Sequence, residues 1–381
     1  MPRSTAPRRR SGPSNGSRPK KGAPAKKRTS AKGRRKQRPR RGRRAALLVL
    51  LVAAVGLGWQ ATGRDLTDLP FLDSIAGAPT TPTWPLTGVP AEAAADRPAL
   101  AVKIENSVDA RPQTGLNAAD VVWEQVVEGG ITRFVAVYHS TLPPEIGPVR
   151  SIRPMDPAIA APLHGLLAFS GGVPTYVDAA GSAGLQVLTQ DSGIDGFYRW
   201  TTRRAPHNVY AAPEALVAQA DDAHRAAPTA QFAYPSAGQQ PTAVTAGQPT
   251  GTLALTMSGV GRPHWSWDAE SGRWLRAEGS APAVEADGSQ IGATNVVVLR
   301  VDVVSTDARD PAGNPVPETI LTGSGEALVA SGGHAVAATW SKPRIGDPVT
   351  LTDTDGDQVT LAPGNTWVEL VPNRTGAVAT G

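Results

Sequence analysis

The chain has 381 residues, and its formal charge of +5 (38 Lys and Arg against 33 Asp and Glu) conceals two opposite parts. The first 44 residues hold 19 of the basic side chains and no acid, which leaves 19 basic against 33 acidic groups, a net of −14, for residues 45–381. A body of that sign disfavours a nucleic-acid groove, which needs Lys and Arg clustered on the fold itself. The absence of cysteine excludes disulfides, thiolate nucleophiles, Cys-ligated zinc and lipid-modified cysteine.

Residues 1–44 contain no Val, Ile, Leu or aromatic side chain, so nothing there offsets the entropy of ordering, and a disordered basic tail is expected. Residues 45–63 are uncharged and apolar; as a helix rising about 1.5 Å per residue they just span a hydrocarbon core. Arg40, Arg41, Arg43 and Arg44 at one end and Trp59 near the other suit membrane boundaries. One uncleaved transmembrane helix is therefore expected, with a cleaved signal peptide as the alternative. The positive-inside rule then makes the protein a single-pass cell-membrane protein, its N-terminus cytoplasmic and residues 64–381 extracytoplasmic. The tail's expected partner is anionic membrane lipid; nucleic acid competes for the same charges, and enforcing topology is the plainest role. Residues 64–97 form a Pro-rich linker, 98–233 and 252–372 two domains separated by a linker at 234–251, and 373–381 a flexible terminus.

The expected fold class is α+β, a mixed α/β first domain followed by a mostly β second one. Leu100 to Ile104 reads as a strand, followed by a polar loop carrying Arg111. Val121 to Val127 and Thr132 to His139 are rich in β-branched and aromatic residues and flank Gly129-Gly130, a hairpin signal. With a two-residue turn Val126 would face Arg133, and Glu124 and Glu128 would share that face, diagonal to the arginine. Further on, Gly147-Pro148-Val149-Arg150-Ser151-Ile152-Arg153-Pro154 sets two arginines three apart in a loop stiffened by proline, suited to planar oxyanions. Asp156-Pro157 starts a helix that Pro162 should kink. A strand over 166–169 runs into Ser170-Gly171-Gly172 and a helical stretch at 176–180, a turn that could offer backbone N–H groups to an anion. Arg203-Arg204-Ala205-Pro206-His207-Asn208 is the last polar knot before a helix expected over 213–227.

Asn106 with Arg111-Pro112-Gln113 and Gly115, Asp120 with Glu124, Glu128-Gly129-Gly130-Ile131-Thr132-Arg133, Gly147-Pro148-Val149-Arg150-Ser151 with Arg153, and Ala205-Pro206-His207-Asn208 form an ordered set. That set resembles the YerB-like family, a bacterial domain of unknown function (3048) with N- and C-terminal parts, over roughly residues 98–372. The resemblance implies an extracytoplasmic, membrane-tethered α+β protein. Many relatives look like lipoproteins, and here the transmembrane segment would replace the lipid.

The second domain is a succession of short β-prone runs parted by turn residues, as in a small sandwich or barrel. It holds five of the nine tryptophans, Trp265, Trp267, Trp274, Trp340 and Trp367, which are read as core rather than as a glycan platform. Asp353-Thr354-Asp355-Gly356-Asp357 lacks the glycine and glutamate spacing of a calcium loop and reads as a hairpin turn. The six histidines show no ligand spacing, so no metal and no cofactor are expected.

Three functions remain open. In the first, Arg111, Arg133, Arg150, Ser151, Arg153, Ser170, Gly171, Gly172, Arg204, His207 and Asn208 bind an anionic cell-wall glycan or polyprenyl-phosphate. In the second, the protein is an envelope hydrolase or phosphotransferase in which Asp120, Glu124 or Glu128 is the acid or base and the arginines stabilise charge. The third makes binding of nucleic acid or a partner by the tail the main purpose.

Overall fold

The computed structural model describes residues 82–91, 96–310 and 313–381. The expected tail (1–44) and transmembrane helix (45–63) and most of the linker at 64–97 lie outside them. No helix among the described residues is long and apolar enough to cross a membrane.

The first segment contributes strands β1 (Leu100–Glu105), β2 (Val121–Val126), β3 (Thr132–Tyr138), β4 (Leu166–Phe169) and β5 (Gln186–Thr189), and a ribbon of β6 (Phe197–Arg199) with β7 (Val209–Ala211). Its helices are short: α1 (Asp156–Ala160), α2 (Pro174–Ser182) and α3 (Pro213–Val217). At Pro162 α1 gives way to a 3₁₀ turn, as the proline requires. α3 stops ten residues before the expected end: the Gln219 side chain takes the Ala215 carbonyl, the next N–H groups bond only three residues back, and Asp221 then accepts the N–H groups of Ala223 and His224. The stretch 234–251 is not bare linker but carries α4 (Thr242–Ala246) and β8 (Gln248–Pro249).

Beyond it come β9 (Thr252–Thr256), β10 (Pro263–Asp268), β11 (Arg273–Glu278), β12 (Ala281–Pro282), β13 (Gly292–Ala293) and the long β14 (Asn295–Arg309). β15 (Pro315–Ile320), β16 (Gly323–Ser331), β17 (His334–Lys342), β18 (Thr350–Thr352), β19 (Thr366–Pro372) and β20 (Ala377–Thr380) complete the chain. β20 pairs with β9, so the stretch read from sequence as a flexible terminus is held in a sheet.

These strands do not close into a sandwich or barrel of their own. β14 and β16 to β19 join the first segment's strands in one large sheet of order β18-β17-β16-β14-β19-β2-β3-β1-β4-β5, with β15 beside β14 and β8 beside β17. The seam is a parallel pairing of β19 with β2. The rest form a second sheet of order β12-β11-β10-β9-β20, with β13 beside β11.

Burial follows from this stacking. Ile159, Ala160 and Ala180 of α1 and α2 cover one face of the large sheet at Ala101, Val135 and Val137. Leu253, Leu255, Trp265 and Trp274 of the second sheet cover the other at Val102, Phe134 and Trp367. Covered on both sides, β1, β2, β3 and β19 are buried at every position. Trp265, Trp274, Trp340 and Trp367 are core, as expected, whereas Trp267 is only half-buried. Asp353 to Asp357 forms the expected turn, with Asp353 Oδ1 accepting the N–H groups of Asp355 and Asp357.

Candidate functional site

Charged residues meet inside the sheet because β1, β3 and β2 lie side by side, with Glu105 opposite Arg133 and Arg133 opposite Gln125. Alternation puts Lys103 on that face too. The face is closed by the Arg150 loop and the start of α1. There Asp156 receives Lys103 Nζ at 2.6 Å, Gln125 Nε2 at 2.5 Å and the Arg153 N–H at 2.7 Å. Arg153 grips Glu128 through Nε at 2.5 Å and Nη2 at 2.9 Å. Glu105 Oε2 takes Arg150 Nε at 3.2 Å and His207 Nδ1 at 2.9 Å.

Counted by charge, Lys103, Arg133, Arg150 and Arg153 stand against Glu105, Glu128 and Asp156, leaving one cation in surplus. That cation is Arg133. Its Nη1 donates to the Ser151 carbonyl at 3.0 Å, and its Nε has no acceptor among the described residues. Burial, with Arg153 and Arg150 alongside, lowers its pKa to about 9. Burial also lowers Lys103 to about 8, against the attraction of Asp156.

The loop holding the arginines is shaped by its neighbours. A cis Gly147–Pro148 bond starts it, and the Arg150 N–H donates to the Lys103 carbonyl at 2.9 Å. Ser170 N–H bonds the Arg150 carbonyl, Ile152 N–H bonds that of Gly171, and Ser170 Oγ bonds that of Val149. A Cβ on Gly172 would lie 2.3 Å from Ile152, so only glycine lets loop and turn pack this closely. Ser170, Gly171 and Gly172 thus clasp the arginine loop, through the Ser170 N–H and Oγ, the Gly171 carbonyl and the bare Cα of Gly172.

Beside the cluster opens a cavity of about 470 Å³ lined by Asp109, Arg203, Arg204, Ala205, Pro206 and His207. Arg203 bonds the carbonyls of Ala110 at 2.8 Å and Pro112 at 2.6 Å, while Arg204 is exposed. Glu105 fixes His207 through Nδ1, and Nε2 lies 4.0 Å from Asp109. Asn208 stands behind the wall, accepting from Arg199 and donating to the Trp200 carbonyl.

The structure separates residues that the sequence placed together. The strand connection runs from Val127 to Ile131, and Val126 pairs with Thr132, one residue away from the expected register. Glu124, opposite Phe134, therefore points away from Arg133 and does not share a face with Glu128. It meets Arg276, buried completely, at 2.6 Å. Burial opposes the Arg276 charge, but Glu124, Glu278 and Glu369 outweigh it and hold its pKa above the ordinary value; Phe134, Trp265 and Trp367 rings surround the guanidinium. Glu369 sits opposite Glu124 in the sheet, and burial, then that carboxylate, drive its pKa well above the ordinary value.

Arg111 belongs to this second face. It bonds Asn106 through Nε and reaches Glu278 at 3.2 Å, and Gln113 bonds the same Asn106 oxygen. Asp120 is further off again, accepting the N–H groups of His139 and Ser140 where β3 ends.

Glu105, Lys103, Arg276 and Glu369 carry much of this geometry and were not singled out from the sequence, while Asp156 was read only as a helix start and Arg203 only as part of a polar knot. Charges at alternate positions of an otherwise apolar strand, Lys103 and Glu105, were the available signal.

A mixed sheet shared by two chain segments, with ionic clusters buried on both faces, defines an α+β protein whose halves fold together. Residues 86–226 match the family described as protein of unknown function (DUF3048), N-terminal domain, and residues 253–368 match its C-terminal domain. The chain belongs to this family. It is 24% identical over 298 residues, 76% of this chain and 86% of the other, to the Bacillus subtilis (strain 168) protein named "Putative lipoprotein YerB". The crystal structure of YerB protein from Bacillus subtilis superposes with a TM-score of 0.65 at 21% identity, covering 78% of this chain and 99% of that one.

Proposed function

We propose that the protein is a membrane-anchored, extracytoplasmic envelope protein that binds a phosphate-bearing cell-wall or lipid ligand in the cavity walled by Arg203, Arg204 and His207. One observation carries this reading: an open basic cavity lies against a buried cluster with one positive charge in surplus. A phosphate entering it gains charge-assisted bonds from Arg204 and from Arg203, whose guanidinium is already fixed on the Ala110 and Pro112 carbonyls. The apolar run at 45–63 behind a basic tail supports the membrane anchor, as does the relative whose name says lipoprotein. Asp120, Glu124 and Glu128 are each bound to protein partners at separate places, which favours binding over acid–base chemistry by these three.

The test is calorimetric titration of the full chain in detergent with glycerol 1-phosphate. Binding should weaken at least about tenfold, near 1.4 kcal/mol, in Arg204→Ala and in His207→Gln. Arg204 is exposed, so its loss should leave the melting temperature unchanged. Absence of binding, or full binding by both variants, overturns the reading.

A further inference from the structure

Arg203, which lines the basic cavity, also lies beside a group of aromatic rings that the cluster does not need. In the β6–β7 ribbon Tyr198 pairs with Tyr210, and Trp200, one residue past β6, is held there by two bonds to Asn208. The Trp200 ring lies on Tyr210 with centroids 4.5 Å apart and planes 10° from parallel, and Tyr198 flanks the same ring at 6.3 Å. Tyr210 is buried, whereas Trp200 is partly exposed and Tyr198 is 38% exposed. The Tyr198 hydroxyl and the Trp200 Nε1 both donate to one oxygen of Glu145, at 2.6 and 3.1 Å. Two outer rings are thereby fixed around a carboxylate. Arg203 links the step to the cavity, since its guanidinium lines the cavity and lies 5.9 Å from the centre of the Tyr210 ring.

We infer that this aromatic step is a sugar subsite and that the ligand is a phosphorylated hexose, the end or repeating unit of an anionic glycan. The inference rests on the anion reading above. Pyranose C–H faces pack on exposed aromatic rings, and their hydroxyls donate to a carboxylate such as Glu145; the attached phosphate then falls towards Arg203, Arg204 and His207. Charge complementarity selects this occupant over a polyprenyl chain, because the rim of the step is a carboxylate and a phenol, which an alkyl chain would desolvate without return. It also selects it over an uncharged glycan, which would leave the cationic wall unused.

The experiment titrates the full chain in detergent with glucose 1-phosphate, inorganic phosphate, uridine monophosphate and glucose. Glucose 1-phosphate should bind at least about tenfold more tightly than phosphate and more tightly than uridine monophosphate. Tyr198→Ala and Trp200→Ala should each bring it down towards the phosphate level while leaving phosphate itself unchanged, and Trp200→Phe should restore part of the difference. Equal binding of phosphate and sugar phosphate, equal losses for both in the ring variants, or a preference for the nucleotide would overturn the sugar subsite and leave the anion site standing. Failure of every phosphate to bind would overturn both.

Discussion

Lys103 and Asp156 are both cut off from water, so each charge depends on the other. Removing one partner strands the other in a low dielectric, and breaking such a pair costs roughly 3–5 kcal/mol. Lys103→Met should lose about that much in chemical denaturation. The pH dependence has a definite sign. The folded-state pKa of Lys103 is about 8, below its ordinary 10.5, so across that window the unfolded chain holds the proton that the native chain has released. Native stability from this residue therefore rises as pH climbs from about 8 to 10.5, and below that window the full cost of burying the charge is felt. The stability gap between wild type and Lys103→Met should widen between pH 7 and pH 10; a gap that narrows would mean that Lys103 is not depressed. At this scale Arg150 and Arg153, alike in the sequence, divide. Arg153 is locked two-pronged on Glu128, whereas Arg150 shares Glu105 with His207 beside the cavity.

The β2–β3 connection shows what an element-level reading catches and misses. Apolar and β-branched residues located both strands to within a residue, because alternating burial selects them. The register slipped by one, and one residue flips every side chain. The slip came from Val127 and Ile131, which look like strand but face each other across the loop, joined by the Val127 N–H to Ile131 carbonyl bond. Glu128 between them is held by Arg153, 25 residues away in the chain, a tie that local pattern does not encode. Gly129 and Gly130 both adopt left-handed φ, +68° and +75°. Alanine at Gly129 meets open space and should cost only the backbone strain, about 1 kcal/mol. Alanine at Gly130 should cost more, since its Cβ would approach Ser258 Oγ at 3.3 Å, and that hydroxyl also bonds the Gly130 carbonyl. Thermal melts of the two variants check the order.

Across the whole molecule the large sheet makes the two family segments interdependent. β19, near the end of the chain, lies between β14 and β2, and the second sheet covers Val102, Phe134 and Trp367. Residues 236–240 are exposed and should be an early site of proteolysis. A chain nicked there should remain one particle on size-exclusion chromatography and melt in a single transition, because the seam is a backbone ladder over a shared core. Residues 82–235 expressed alone should fail to give a cooperative melt, since the second-sheet face of β1 to β3 would stand uncovered. Separation of the nicked halves would contradict this.

What the sequence determined by itself was composition and local pattern: a basic tail and an apolar run ahead of an acidic body, α+β strands, tryptophans as core, the Asp353–Asp357 turn, and a family signature in five ordered motifs. These depend on properties that neighbouring residues carry together, so they can be read along the chain. Which motif residues meet was decided only by tertiary structure. Arg111 and Arg150 belong to one signature, yet one turns to Glu278 and the other to Glu105 on opposite faces of a sheet. Glu124 meets Arg276 across 152 residues, and His207 meets Glu105 across 102. Pairing at such separations is set by strand order and by which sheet covers which face, and a buried charge settles on whichever opposite charge the completed fold brings within reach.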